Sequence, residues 1–470
     1  MHKEIDKAFS IHTVMTALCC LAHFATHLGP ADFRAPSWWL AVGVLIAACA
    51  ALAHASLARF LVLAGLQVLH IIADAPFNPD HWLLLFFVNV VVLCSAFDLW
   101  LRQGSVDPGQ LYEQFAPAAR VVFLVCYGFA ALSKFNTHFL GAASSCATEL
   151  AEIQIYVSPW LGHIAWPAVS GWITAVCESF VWWLLLAPST RRYGIMLGML
   201  FHTVLVVSPA IAVFDFSMAI YTMLFLFAPR DFPARVHDRI AAARDQMPAV
   251  FQLLRTVKLP ALVAIGIFMI GRSSAGLPLY GNPRISTINW LVNMMIASIV
   301  IGLAALSLFG RPRSAREGTF FRPKLLSHLA MILVAVLNGL CPYLGLKTQG
   351  SFTMFSNLRT EAGHWNHVIM PPSMRWFAGF QDDLVQIARI DDKRIQHDFV
   401  DGHYLVPSFE VRRAAARNPG MKLTVIRGGH EIELDPVSLD SHLAKPPSWI
   451  ARKLLLFRPV TADGSPYCGN

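Results

Sequence analysis

A lysine at the end of an apolar segment is the residue of this sequence that is best placed to do chemistry. Lys134 ends an apolar run that begins after Arg120, and Asn136, Thr137 and His138 follow it closely. A basic side chain inside or at the rim of hydrocarbon costs roughly 2.5–3.5 kcal/mol on insertion scales, so such residues are usually functional. Loss of hydration disfavours the charged form of a lysine and makes its amine a usable base. The alternative is that Lys134 only extends to the lipid headgroups.

Three further ionisable residues fall in apolar segments. His81 opens one such segment, and Glu178 and His202 lie inside two later ones. A histidine in a membrane helix more often hydrogen-bonds a neighbouring helix than does chemistry, and a buried glutamate usually pairs with a cation. As a group, however, these residues predict a polar pocket. We expect Lys134 and His81 to share it near the outer leaflet, with Glu178 and His202 paired deeper in the membrane.

The composition is that of a polytopic membrane protein. Of the 470 residues, 56% are hydrophobic and only 14% are charged, whereas soluble domains carry about 25% charged residues. The net charge of +8 comes mainly from arginines in short loops between apolar runs, where they set orientation, so no nucleic-acid partner is predicted. The sequence contains neither a C-x-x-C pair nor a glycine-rich phosphate loop, so no metal and no bound nucleotide are predicted.

Apolar runs close to the roughly 20 residues that span a bilayer recur along three-quarters of the chain. They predict an all-α bundle of about 9–11 transmembrane helices, in which the ninth segment, ending at Arg272, is the least secure. The eleven segments are about 8–29, 37–53, 58–75, 81–100, 116–135, 160–186, 192–210, 214–229, 258–272, 286–309 and 325–345.

Loop charges predict the orientation of the chain. If eleven segments span, the arginine-rich loops after the fourth, sixth, eighth and tenth segments all fall on one side. The positive-inside rule makes that side cytoplasmic. We therefore expect a cytoplasmic N-terminus and an extracytoplasmic C-terminal domain.

The last part of the chain is polar and predicts a small, partly β domain. Lys422 to Arg427 and His430 to Leu434 alternate as strands do, with Gly428-Gly429 as the turn between them. The predicted organisation is a membrane core, a cytoplasmic interfacial loop, further transmembrane helices and an extracytoplasmic domain, at 1–229, 230–257, 258–345 and 346–470.

Four stretches, in this order, resemble the vitamin K-dependent gamma-carboxylases and their bacterial relatives with the HTTM domain. The similarity covers most of the chain at low identity, and it depends on the order and spacing of the four stretches together. They are Pro79-Asp80-His81; Tyr127 to Lys134; Glu178 with the following Leu184 to Gly194 and Phe201-His202; and Phe355 to Glu361 with Asn366-His367.

The resemblance implies a quinol-dependent chemistry. Lys134 would be the base that removes a proton from reduced menaquinone or vitamin K hydroquinone, and His81 would assist the oxygen chemistry or the substrate carbanion. Addition of O2 would then give a strong base that takes the γ-proton of a glutamate in a secreted peptide or protein, and CO2 would be captured. His202, Tyr127, Glu178 and Asn136 are expected to be pocket or structural residues.

The sequence also departs from the family pattern. The eukaryotic enzymes have two adjacent lysines, whereas Ser133 stands at the first position here, and His138-Phe139 stand near the place of a following tryptophan. The large lumenal region that binds a substrate propeptide has no counterpart of similar length. These departures favour the quinol half-reaction over glutamate carboxylation.

Two other functions fit the sequence. One is a transporter or an accessory membrane protein without enzymatic activity, although no repeat symmetry supports a transporter. The other is a haem quinol oxidoreductase, because His23 and His27 stand four residues apart on the first helix. Haem ligation by two histidines normally needs facing helices, and the sequence identifies no partner for this pair.

Two cysteines in predicted extracytoplasmic segments, Cys146 and Cys468, are candidates for a disulfide bond, with two free thiols as the alternative.

Overall fold

The chain forms two compact units, each of which combines stretches that are distant in sequence. The computed structural model describes residues 2–141, 145–157, 166–206, 214–276, 283–309, 320–361, 363–390, 404–417, 422–434, 443 and 445–461. Unit 1 comprises Met1–Asp74, His81–Val125 and Cys177–Ala335, and unit 2 comprises Ala75–Asp80, Cys126–Val176 and Val336–Asn470. The predicted domain ranges, by contrast, follow the chain in order.

Most of the described chain is α-helical. Helices α1 to α8 are His2–His27, Pro36–Ala53, Leu57–Asp74, Asp80–Gln103, Pro108–Ser133, Thr137–Leu140, Cys146–Val157 and Trp166–Leu186. Helices α9 to α16 are Arg191–Leu205, Phe214–Leu224, Phe232–Gln246, Pro248–Ser274, Pro283–Leu308, Leu326–Leu344, Ser408–Arg417 and Trp449–Leu454. Within unit 1, α1 packs against both α2 and α10.

Nine helices among the described residues are long and apolar enough to cross a membrane, which confirms a multi-pass, mostly helical membrane protein. They lie in α1, α2, α3, α4, α5, α8, α12, α13 and α14. The count stands at the lower end of the predicted range of 9–11.

Two of the eleven predicted segments are too short to be counted among these nine. The segments at 192–210 and 214–229 correspond to α9, which has 15 residues, and to α10 with the 3-10 turn Phe225–Phe227. At 1.5 Å per residue, a helix of this length rises only about 22 Å against a hydrocarbon core of about 30 Å. A hydropathy profile identifies these segments as apolar, but it does not show at which residue each helix ends.

The ninth predicted segment, 258–272, was too short, because α12 extends from Pro248 to Ser274 and has 27 residues. Its first turns contain Arg255, which had been placed in a cytoplasmic interfacial loop at 230–257. Long basic side chains extend from a helix to solvent and are therefore compatible with its continuation. Most of the remainder of that loop forms α11, a polar helix.

The C-terminal part of unit 2 contains a five-stranded antiparallel sheet, which confirms the predicted partly β character. Its strands β1 to β5 are Leu384–Ile390, Tyr404–Pro407, Leu423–Arg427, His430–Leu434 and Val460–Thr461, in the order β4-β3-β1-β2-β5. Alternate side chains of β1 and β3, such as Val385 and Val425, are buried together in one apolar cluster.

The predicted hairpin between β3 and β4 is confirmed. Arg427 pairs with His430, and Gly428 and Gly429 between them have φ angles of 57° and 81°. Two successive positive φ angles are characteristic of the tight turn whose twist matches that of the flanking strands.

Substitution of Gly429 by alanine is expected to lower the free energy of unfolding of the sheet by about 1–2 kcal/mol, because a Cβ disfavours the left-handed conformation. Denaturant unfolding followed by the near-ultraviolet signal would measure the loss. Gly379→Ala is the matched control, since a Cβ there meets no atom within 4 Å and its φ is not positive. An equal loss in the two variants would contradict this explanation.

Candidate functional site

Lys134 is buried where a transmembrane helix ends. Helix α5 stops at Ser133, and Lys134 in the next position is only 4% exposed. Its Nζ donates hydrogen bonds to the carbonyl oxygens of Ala130, at 3.1 Å, and Met354, at 3.4 Å. A side chain that extended to the headgroups would be exposed, so this burial contradicts the snorkelling interpretation.

A loop that follows the last membrane helix folds against the end of α5. Asn136 Nδ2 donates to the carbonyl oxygen of Ser356 at 2.5 Å, and Asn366 Nδ2 donates to Asn136 Oδ1 at 3.2 Å. Asn136 also forms an isolated antiparallel bridge with His367. Two stretches that separately resemble the gamma-carboxylase family, 127–134 and 355–367, are thus neighbours in unit 2.

Asn136 has a structural role at this junction. Its Oδ1 accepts a hydrogen bond from the backbone N–H of Phe139 at 2.8 Å and so caps the short helix α6. The Phe139 ring in turn lies 5.8 Å from Lys134 Nζ. Asn136 therefore fixes the chain directly after Lys134 and, through Phe139, one side of the environment of its amine.

The loop that supplies the carbonyl of Met354 is strained. Phe352, Phe355 and Asn357 have φ angles of 60°, 45° and 52°, in the left-handed region that glycine favours. Each such residue costs of order 1–3 kcal/mol, and strain of this kind clusters at functional sites. The loop is held by Asp80, whose two carboxylate oxygens accept the backbone N–H groups of Phe352 and Thr353 at 3.0 Å each.

Lys347 is a second lysine of unit 2 with a perturbed environment. Burial lowers the pKa of its ammonium, and the nearby carboxylate of Asp80 opposes that effect. Burial also lowers the pKa values of the His138 and His367 imidazoles. The sequence reasoning missed both Lys347 and the anchoring role of Asp80, because neither follows from helical periodicity.

A cluster of three histidines and one aspartate lies in unit 1. His23 and His27 are on α1, His81 is in the first turn of α4, and Asp215 is near the start of α10. The ring nitrogens His23 Nδ1, His27 Nδ1 and His81 Nε2 lie 2.9, 3.1 and 2.8 Å from Asp215 Oδ2. We call these four residues the histidine cluster.

Neighbouring groups hold the histidine cluster in place. The backbone N–H of Phe216 donates to the other oxygen of Asp215, Oδ1, at 2.8 Å. The His23 ring is stacked between Trp82, at a centroid distance of 3.9 Å, and His27, at 4.5 Å. The hydroxyl of Thr26 lies 2.6 Å from His27 Nδ1. Three of the four cluster residues are buried, and the His27 side chain is 40% exposed.

The sequence reasoning was wrong in finding no partner for His23 and His27. His81 and Asp215 supply it from two other helices. The i, i+4 spacing of His23 and His27 could have indicated this cluster, because it places both side chains on one face of a helix.

The remaining predicted site residues are buried. His202 and Glu178 lie in unit 1, and Tyr127 lies in unit 2. His202 packs edge to face on Phe216 at a centroid distance of 4.9 Å and so borders the histidine cluster. Glu178 is buried in α8, and its pairing with His202 stays a prediction. Tyr127 is buried in α5, seven residues before Lys134. The pocket predicted to join His81 to Lys134 also stays a prediction, since these residues belong to different units.

Cys146 is disulfide-bonded, as the sequence hypothesis required. The proposed partner, Cys468, lies outside the described residues.

The chain matches no protein-family model, no curated protein and no solved structure. The resemblance to the gamma-carboxylases therefore depends on the motifs of this sequence alone.

Proposed function

We propose that this protein is a membrane enzyme that oxidises a reduced quinone with O2, using Lys134 as the base. The observation that carries the proposal is the burial of the Lys134 amine at the end of a transmembrane helix, against a strained loop. A buried amine is rare in a membrane protein and is usually retained for function.

Two hydrogen bonds fix the position of the Lys134 amine. The carbonyl oxygens of Ala130 and Met354 accept hydrogen bonds from Nζ at 3.1 and 3.4 Å, which holds the amine at the end of α5. General bases of this kind contribute about 10²- to 10⁴-fold in rate.

The location of Lys134 favours an apolar acid as substrate. Helix α5 is a membrane span, so a molecule that reaches its end from the bilayer must be lipid-soluble. Reduced menaquinone or vitamin K hydroquinone combines an apolar ring and tail with a weakly acidic hydroxyl group. The overall reaction balances as quinol plus O2 giving quinone epoxide plus water.

The fuller reaction would couple this oxidation to carboxylation of a glutamate side chain. In that case the proton of the glutamate γ-carbon leaves with the departing oxygen as water, and CO2 forms the new carbon–carbon bond. Secreted peptides or proteins would be the acceptors. His81 would assist the oxygen chemistry, oriented by its hydrogen bond to Asp215.

The proposed setting is the bacterial plasma membrane, with the N-terminus in the cytoplasm and the C-terminal domain outside. This orientation does not depend on whether α9 and α10 cross. Counting or omitting both helices changes the number of crossings by two, so the basic loops stay on the same side.

Lys134→Ala is expected to lower quinone epoxide formation by at least about 100-fold, the lower range for loss of a general base. Detergent-solubilised protein would be supplied with reduced menaquinone, bicarbonate and isotopically labelled O2, and the labelled epoxide would be read by mass spectrometry. Lys445→Ala removes an exposed lysine and is the matched control, with unchanged turnover expected.

Two outcomes would contradict the proposal. Folded wild-type protein that forms no epoxide would favour the transporter or accessory function. Turnover that survives Lys134→Ala but is lost in Lys347→Ala would move the base to Lys347. Thermal unfolding of every variant would show whether a loss of turnover reflects a loss of structure.

A further inference from the structure

We propose that the histidine cluster binds one divalent first-row transition-metal ion through His23, His27 and Asp215. The inference does not rest on the proposed quinol chemistry, since these three ligands belong to unit 1 and Lys134 belongs to unit 2. His23, His27 and Asp215 offer ligand atoms that all lie within 4.8 Å of one another.

The cluster places three ligand atoms of the types that metal ions prefer close together. Nδ1 of His23 and Nδ1 of His27 lie 2.9 and 3.1 Å from Oδ2 of Asp215. The other oxygen of the carboxylate accepts the backbone N–H of Phe216, which leaves Oδ2 facing the two imidazoles. His27 Nδ1 also lies 2.6 Å from the hydroxyl of Thr26, so this ring is held at the cluster although its side chain is partly exposed.

A shared metal ion is compatible with these distances. Zinc and related ions bind histidine nitrogen and carboxylate oxygen at about 2.0–2.2 Å, so two ligand atoms of one ion lie about 3–4 Å apart. The separations of 2.9 and 3.1 Å between the two imidazole nitrogens and Asp215 Oδ2 are close to such ligand positions. His81 would stay outside the ligand set and orient Asp215 through its hydrogen bond to Oδ2 at 2.8 Å.

The ligand types indicate which ions fit. Imidazole suits zinc, copper, iron and nickel, whereas calcium and magnesium prefer oxygen ligands. Two histidines and one carboxylate with open positions are the pattern of non-haem iron centres. One carboxylate with neutral imidazoles leaves part of the charge of a divalent ion uncompensated, which favours an additional anionic or water ligand.

A haem does not fit at this cluster. A porphyrin requires its two axial histidines to approach the iron from opposite faces of the macrocycle. Here His23 and His27 stack on each other with an interplanar angle of 11°, and both come from α1. Their Nδ1 atoms lie 2.9 and 3.1 Å from one carboxylate oxygen, so they cannot approach an iron from opposite faces of a macrocycle, whereas they can bind a bare ion.

Contacts outside the cluster would preorganise it. The N–H of Phe216 fixes the carboxylate of Asp215, and Trp82, which stacks on His23, donates from Nε1 to His70 Nδ1 at 3.2 Å. Outer contacts of this type orient metal ligands, and their loss typically costs about 10- to 100-fold in affinity.

The test is the metal content of purified full-length protein without an affinity tag. The protein would be stripped with a chelator, loaded separately with Co²⁺, Zn²⁺ or Fe²⁺ and desalted. Metal would be measured by mass spectrometry and Co²⁺ by its visible absorption. Wild-type protein is expected to retain about one ion per chain, held by three protein ligands with an open position for water.

Two variants separate binding from folding. Asp215→Asn keeps the size of the side chain and removes its charge, and His27→Ala alters the one cluster residue that is substantially exposed. Both are expected to weaken metal binding by at least about tenfold, since ligand loss exceeds the loss of an outer contact. His54→Ala removes an exposed histidine outside the cluster and should bind like the wild type.

Folded wild-type protein that retains no ion would overturn the proposal, and so would equal metal content in all variants. The cluster would then be a hydrogen-bonded network that joins three helices. Because this test uses no quinol, its outcome is independent of the epoxide assay.

Discussion

Gly171→Ala is expected to destabilise unit 2 by about 3 kcal/mol or more, at the upper end of the cost of overpacking. A Cβ at Gly171 would lie 2.2 Å from the carbonyl oxygen of Phe139 and 3.2 Å from Ser145 Oγ. The first of these atoms belongs to the backbone, so no side-chain rotation can relieve the clash. Helix α8 and the chain after Lys134 would have to separate.

The measurement is the thermal unfolding midpoint of the detergent-solubilised protein, together with quinone turnover. Turnover should fall with stability, because Phe139 borders the Lys134 amine at 5.8 Å. Gly302→Ala is the control, because Gly302 also lies in a helix and a Cβ there would have no neighbouring atom within 4 Å. The control should be neutral or slightly stabilising, as alanine favours helix over glycine by about 1 kcal/mol. If Gly171→Ala unfolded at the same temperature as the wild type, α8 could not approach the carbonyl oxygen of Phe139 this closely.

Asp80→Ala is expected to destabilise the loop at Lys134 by about 3 kcal/mol and to abolish most Lys134-dependent turnover. The substitution removes a buried carboxylate that accepts two hydrogen bonds, from the backbone N–H groups of Phe352 and Thr353. Hydrogen bonds to charged groups contribute about 1.5–3 kcal/mol each. Without them, the strained φ angles of the loop are expected to relax, and the carbonyl of Met354 should move away from Lys134.

A graded series would test this role of Asp80. Asp80→Asn keeps one acceptor oxygen and offers an N–H₂ group in place of the other, so its effect should lie between wild type and alanine. Hydrogen exchange of residues 351–357 would report opening of the loop. Asp245→Ala, at an exposed position with a surface ion pair to Arg244, should change neither exchange nor turnover. Unchanged protection of the loop in Asp80→Ala would refute the anchoring role.

The sequence by itself determined the features that depend on neighbouring residues. Apolar runs such as those of α2 and α4 identify spans, because a bilayer requires about 20 consecutive apolar residues. The turn at Gly428-Gly429 was predictable for the same reason, since its backbone conformation depends on two adjacent glycines. The end of α9 at Leu205 was not, because hydropathy records composition and not where a helix stops.

Only the tertiary structure decided which distant residues meet. Helical periodicity places His23 and His27 on one face of α1, but it does not specify which helix packs there. Asp215 joins His23 across 192 residues and His81 across 134 residues. Asn136 meets Ser356 across 220 residues in the same way. Such contacts follow from the packing of whole helices and loops, which no short window of sequence determines.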